Sequence, residues 1–283
     1  MVLEDLFNPS WVRRRPYLAF VFGFLFTFVA FFISLIFFKS SMSVAMIFLT
    51  TLLLIPSMVM LLKMEEQVEG KYGLRHFFRN HKDIFEVYLF SFLGVFVAFV
   101  VLGLGMYSDP ASYDKLFDFQ IRFLQFQQGL SGETVRGFVS EAAPLGISQA
   151  TSLFAHDLLV VAICFVLSFF YGASAIFLII LNGSVFANFI IFVIKALSEN
   201  AAQGAQAFFI FLIHLLPEVS GFLLAAIAGG VVSKAVLHEK KGSAAFKNVF
   251  KDATVLMLIA MGLILISSLL ETFVTARLFQ AVF

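Results

Sequence analysis

Charged residues are scarce in this sequence. They make up 13% of its 283 residues, about half the usual share for a soluble domain. Hydrophobic residues reach 61% and the mean hydropathy is +0.98. A water-soluble globule of this size cannot hide that much apolar surface, so a soluble fold is excluded. Cysteine is nearly absent. Cys164 stands alone inside an apolar run, which rules out an internal disulfide or a cysteine metal cluster and reads as a small buried hydrophobe. A net charge of +1 supplies no basic field for nucleic acid. Catalytic signatures are missing too: there is no phosphate-binding glycine loop, no paired-histidine zinc motif and no nucleophile elbow. No enzymatic activity and no cofactor are expected. The N-terminus does not read as a cleavable signal, because acidic amphipathic residues precede Arg13, Arg14 and Arg15, and the apolar run that follows is too long.

What is abundant is phenylalanine, 40 residues of it, in long apolar runs. A spanning helix needs about 20 such residues. Seven runs qualify, at 16–38, 42–62, 85–106, 153–171, 173–197, 205–237 and 254–273. The expected fold is therefore all-α, a polytopic transmembrane helical bundle forming one membrane domain over 1–283. The sixth run is too long for one untilted crossing and contains Pro217, which predicts a broken or kinked helix. Between the third and fourth runs lies a polar stretch, 107–152. Phe119, Phe123 and Phe126 recur there at helical spacing among Gln120, Arg122, Gln125 and Gln127. That spacing predicts an amphipathic helix on the membrane surface or capping the bundle, with a second short helix ending at Pro144.

Orientation follows from basic residues near the span ends. Arg13 to Arg15 form one cluster. Lys63, Lys71, Arg75, Arg79 and Lys82 form a second, and Lys234, Lys240, Lys241, Lys247 and Lys251 a third. Seven crossings put all three on one side. The reading is a multi-pass protein of the cell membrane with a cytoplasmic N-terminus, an outside C-terminus and an extracytoplasmic 107–152 segment. Runs one to three and five to seven also look alike, each triplet having a proline-containing helix and then a basic loop. Parallel duplication and shared apolar composition both account for this.

Polar residues inside apolar runs are costly and tend to face the bundle interior. His214 and Glu218 are four apart, on one helix face, with Pro217 between them. They make either an intramembrane binding site or a lock that fixes a kink. Two ligands are too few for a metal centre, so none is expected. Asn182 and Asn188 in the fifth run are further candidates for that polar site. Gly183, Gly229 and Gly230 read as close-packing points between helices. His156, Asp157 and Glu271 lie near the outer interface and are expected to be solvated there.

The segment HLLPEVSGFLLAAIAGGVVSKAV from His214 resembles the signature of the stage II sporulation protein M family, which has a His and a Glu four residues apart in an apolar helix followed by small residues. Asn182-Gly183 is similar to the family's Asn-Gly pair. The resemblance covers roughly 172–236. Leu215 stands where the family has glycine, and Pro217 directly precedes Glu218. The resemblance implies an integral membrane protein that, in endospore formers, helps assemble a cell-wall-degrading complex during engulfment. The expected role is a non-catalytic membrane scaffold or assembly factor. Its partners would be the lipid bilayer and other membrane or cell-envelope proteins. Its apolar faces suit a homo-oligomer, though lipid satisfies them equally well. The alternative is a transporter or channel with its polar site at His214, Glu218 and Asn182.

Overall fold

The computed structural model describes residues 12–13, 15–75, 77–128, 146–171, 174–240 and 242–283. The second short helix expected before Pro144 and the acidic N-terminal stretch lie outside these residues. Among the described residues there is no strand. The helices are α1 (Tyr17–Phe37), α2 (Met42–Tyr72), α3 (Phe77–Met106), α4 (Pro110–Gln128), α5 (Ile147–Tyr171), α6 (Ser174–Leu197), α7 (Ala201–His238), α8 (Ala244–Leu270) and α9 (Ala276–Val282). A π-helical turn, Glu271–Thr275, joins α8 to α9. Among the described residues, seven helices are long and apolar enough to cross a membrane.

Large apolar side chains point outward all round the bundle, among them Phe32, Phe37, Leu159 and Phe170. In water that surface would drive aggregation; against hydrocarbon it is matched. The interior combines large side chains, such as Tyr88, Phe92, Phe96 and Phe99 of α3, with a stretch of small ones. Ala225, Ala226, Ala228, Gly229 and Gly230 of α7 are all buried, so α7 sits centrally against α5, α6, α8 and α2. A Cβ added to Gly229 would clash with the Phe165 carbonyl of α5, and one on Gly230 would stand 2.8 Å from Leu62 of α2. The α1–α3 crossing is equally close. Gly23 and Gly94 place the two backbones in contact, and a Cβ on Gly23 would lie 2.6 Å from the Ser91 carbonyl. Such small-residue crossings substitute dispersion for the hydrophobic drive that lipid removes.

Helix α7 runs unbroken through Pro217 for 38 residues, about 57 Å at helical rise, against about 30 Å of hydrocarbon. It is one continuous element and not two half-helices. Pro217 has no N–H to donate one turn back, and in that preceding turn the Ser267 hydroxyl of α8 donates to the His214 carbonyl at 2.8 Å. The two triplets that look alike in sequence pack differently. Helix α1 lies tightly on α3, whereas α6 and α8 scarcely touch. The likeness therefore does not extend to packing, and shared apolar composition is enough to account for it.

Helices α2, α3 and α8 overrun the bilayer at one end of the bundle. The charged turns of α2 from Lys63 to Tyr72 extend about 15 Å beyond its apolar run. Arg13 donates to Asp83 there at 3.0 Å, which puts the first basic cluster beside the second. Gly73 ends α2 with φ of 52°, a left-handed cap that glycine adopts without strain. At the opposite end α4 folds back onto the bundle, burying Leu116, Phe117, Gln120 and Leu124.

Candidate functional site

His214 and Glu218 lie on the buried face of α7 near its midpoint. They do not bond each other. His214 Nδ1 and Thr275 Oγ1 share a hydrogen bond at 3.1 Å, and the Phe211 ring stands edge-on to the imidazole with centroids 5.0 Å apart. The acidic groups whose charges act on Glu218 are Asp157 of α5 and Glu271 of the π turn. Asp157 is only 6% exposed, and His156 Nδ1 approaches its Oδ1 at 3.1 Å. The expectation that Asp157 sits in interfacial water is thus corrected: α5 turns it toward α7, while His156 keeps the exposed position. Asp157, Glu218 and Glu271 thus lie near enough for their charges to act on one another, while His214, on the same face of α7 as Glu218, is tied to the π turn through Thr275. The π turn carries both Glu271 and Thr275, and Thr275 reaches His214 of α7 from it; such turns are frequent at functional sites.

A second polar group forms under α4. The Ser43 hydroxyl donates to Gln120 Oε1 at 2.5 Å, and Gln120 Nε2 donates to the Ser184 hydroxyl at 2.9 Å. Tyr113 donates to Asn188 Oδ1 at 2.7 Å. Asn188 therefore holds α4 down and does not join His214. A cleft of about 350 Å³ opens beside it, lined by Tyr107, Tyr113, Asp114, Asn188 and Phe192. Asn182 is half-buried on α6, and among the described residues no hydrogen bond links it to His214 or Glu218. Its neighbour Gly183 lies over the Phe92 ring of α3, 3.3 Å from where a Cβ would stand.

The third group lies at the charged end, in the overhang beyond the apolar runs. Glu65 and Glu69 of α2, His81 of α3 and Asp252 of α8 are all buried. His81 Nδ1 stands 2.7 Å from Glu65 Oε1 and 3.4 Å from Glu69 Oε1. Burial, with the charges of Glu65, Asp252 and Glu66 beside it, pushes the Glu69 carboxyl well above its ordinary range. Burial also raises Asp252 to about 6, although His81 opposes the rise. Sequence motifs do not reveal this group, because its members come from three helices. The readable trace is the four-residue spacing of Glu65 and Glu69 followed, one loop later, by His81.

The family model described as Stage II sporulation protein M matches residues 74–276. The chain belongs to the Stage II sporulation protein M family. The family region is far longer than the 172–236 stretch that carries the resemblance by eye. It spans α3 to the start of α9, so it takes in His81, Asp157, His214, Glu218, Asp252 and Glu271, while Glu65 and Glu69 precede it. The family's His-Glu pair, and the Asp157 and Glu271 whose charges act on Glu218, all lie within the family region. No curated protein and no solved structure matches the chain.

Proposed function

We propose that this member of the sporulation M family is a non-catalytic scaffold or assembly factor of the cell membrane. In this reading its N-terminus is cytoplasmic, its C-terminus is outside, and α4 faces the cell envelope. The gathering of basic residues at one end of the bundle supports that orientation. The observation that carries the scaffold reading is the pinning of α4. A helix that only floated on lipid would need no buried polar anchor, whereas Gln120 bridges Ser43 and Ser184 inside the protein. The anchor holds a charged face, Asp114, Lys115, Asp118 and Arg122, in fixed register for a protein partner of the envelope. The test is affinity capture from native membranes with a variant carrying Asp114→Lys, Asp118→Lys and Arg122→Glu. At least a tenfold loss of the captured partner, with an unchanged size-exclusion profile, is the expected result. Failure of the unaltered protein to capture any specific partner counts against the scaffold.

A second reading, transport of a proton or cation, is favoured by one observation: Asp157, Glu218 and Glu271 converge beside His214. Carboxylates gathered inside a bundle are a common feature of ion pathways. Proteoliposomes separate the two readings. Flux that depends on Glu218 and disappears in Glu218→Gln favours transport, and absence of flux leaves the scaffold.

A further inference from the structure

The group at the charged end is independent of either reading above. Glu65 and Glu69 lie one helical turn apart and present their carboxylates side by side. The imidazole of His81 faces them, and one ligand atom from each of the three residues lies within 4.8 Å of the others. Two donor atoms about 2.1 Å from a tetrahedral ion stand about 3.4 Å apart, close to the 3.4 Å between His81 Nδ1 and Glu69 Oε1. The close approaches are not hydrogen bonds. Glu65 Oε1, both Glu69 oxygens, both His81 nitrogens and both Asp252 oxygens are buried without an aligned partner. Crowded and misaligned donor atoms around one point are what a shared cation requires. Buried polar atoms are otherwise almost always paired.

Charge points the same way. Three carboxylates are buried with one imidazole. Among the described residues no lysine or arginine stands within ion-pair distance of them. Arg75, Arg79 and Lys82 of the adjoining loop and helix are exposed, and Arg13 is taken by Asp83. Glu66, also buried, acts on Glu69 through its charge, but it interacts as well with Glu239, His238, Lys63 and Lys234 and is not one of the three clustered ligands.

We propose that Glu65, Glu69 and His81 bind a divalent first-row transition-metal cation of the Zn²⁺ or Mn²⁺ type, with Asp252 orienting the imidazole. The imidazole argues against Mg²⁺ and Ca²⁺, which take oxygen ligands. Nδ1 faces the two glutamates and Nε2 faces Asp252 Oδ2 at 3.8 Å. That is the carboxylate–histidine–metal arrangement, in which the outer carboxylate fixes tautomer and ring orientation. Three protein ligands leave coordination positions for water or a further ligand. The ion ties together α2 and α3, and through Asp252 it reaches α8. A hydrogen bond from Asn248 Nδ2 to the Gly70 carbonyl, at 3.3 Å, already joins α8 to α2 beside it.

The full chain in detergent, stripped with chelator, is titrated calorimetrically with Zn²⁺, Mn²⁺ or Mg²⁺ alone. The expected result is one equivalent of Zn²⁺ or Mn²⁺ per chain, with Mg²⁺ at least tenfold weaker. Glu69→Gln and His81→Gln should weaken Zn²⁺ binding about 100-fold, and Asp252→Asn about 10- to 100-fold, the range for outer-shell partners. Glu66→Gln should bind as the unaltered chain does. Stoichiometric binding that Glu69→Gln leaves unchanged overturns the proposal, as does Mg²⁺ binding equal to that of Zn²⁺. Should the variants fail to fold, Co²⁺ added to the unaltered chain decides the matter. Ligand-field absorption bands at one equivalent support the site, and their absence rejects it.

Discussion

At Thr275 a single hydroxyl serves the family's histidine. It is 3% exposed and shares a hydrogen bond with His214. Thr275→Val keeps the shape and removes that bond, so a loss of about 1 kcal/mol is expected, read as a lower thermal midpoint in detergent. Glycines divide by what lies opposite them. Gly94 backs onto the Phe20 backbone, while a Cβ on Gly105 meets nothing within 4 Å. Gly94→Ala should therefore destabilise by about 1–3 kcal/mol, and Gly105→Ala should be neutral or stabilising by up to about 1 kcal/mol. That His214 and Glu218 face the bundle interior was legible in the sequence, because a polar group inside an apolar run avoids lipid. Their partners were not. Asp157 and Glu271 sit near the ends of their apolar runs, and sequence spacing cannot say whether such a residue turns inward or toward water.

At the level of elements, helix α4 shows how one polar residue can decide placement. Its phenylalanine spacing fits a surface helix and a capping helix equally well. Gln120 settles the matter by entering the bundle, where Ser43 and Ser184 satisfy its amide. Gln120→Leu leaves the Ser43 hydroxyl without its acceptor at a cost of about 1–3 kcal/mol. Faster hydrogen exchange confined to α4, with the spanning helices unchanged, is the expected readout. Pro217 teaches the converse. A proline with a His–Glu pair suggests a broken or kinked helix, yet α7 continues through it, packed along α8, with Ser267 donating to the His214 carbonyl. The π turn at Glu271–Thr275 leaves no mark in the sequence, since it depends on how the end of α8 meets α7 and α5.

Across the whole molecule, one end gathers the basic residues and the buried acidic group, and the other carries α4. Sided labelling tests the orientation directly. Cys164 is buried and should resist a membrane-impermeant maleimide, which leaves a quiet background for introduced cysteines. Ser112→Cys should label in intact cells, and Phe78→Cys only after permeabilisation; the reverse pattern would invert the topology. That about seven stretches form helices long and apolar enough to cross a membrane was determined by the sequence alone, because transfer from water to hydrocarbon is a sum over local composition that needs no knowledge of neighbours. Which helices touch is a different kind of quantity. The meeting of Glu65 and Glu69 with His81 and Asp252, and of His214 with Thr275, depends on crossing points between helices far apart in the chain. Those crossings are set by shape at glycines and alanines, and only the folded bundle brings those surfaces together.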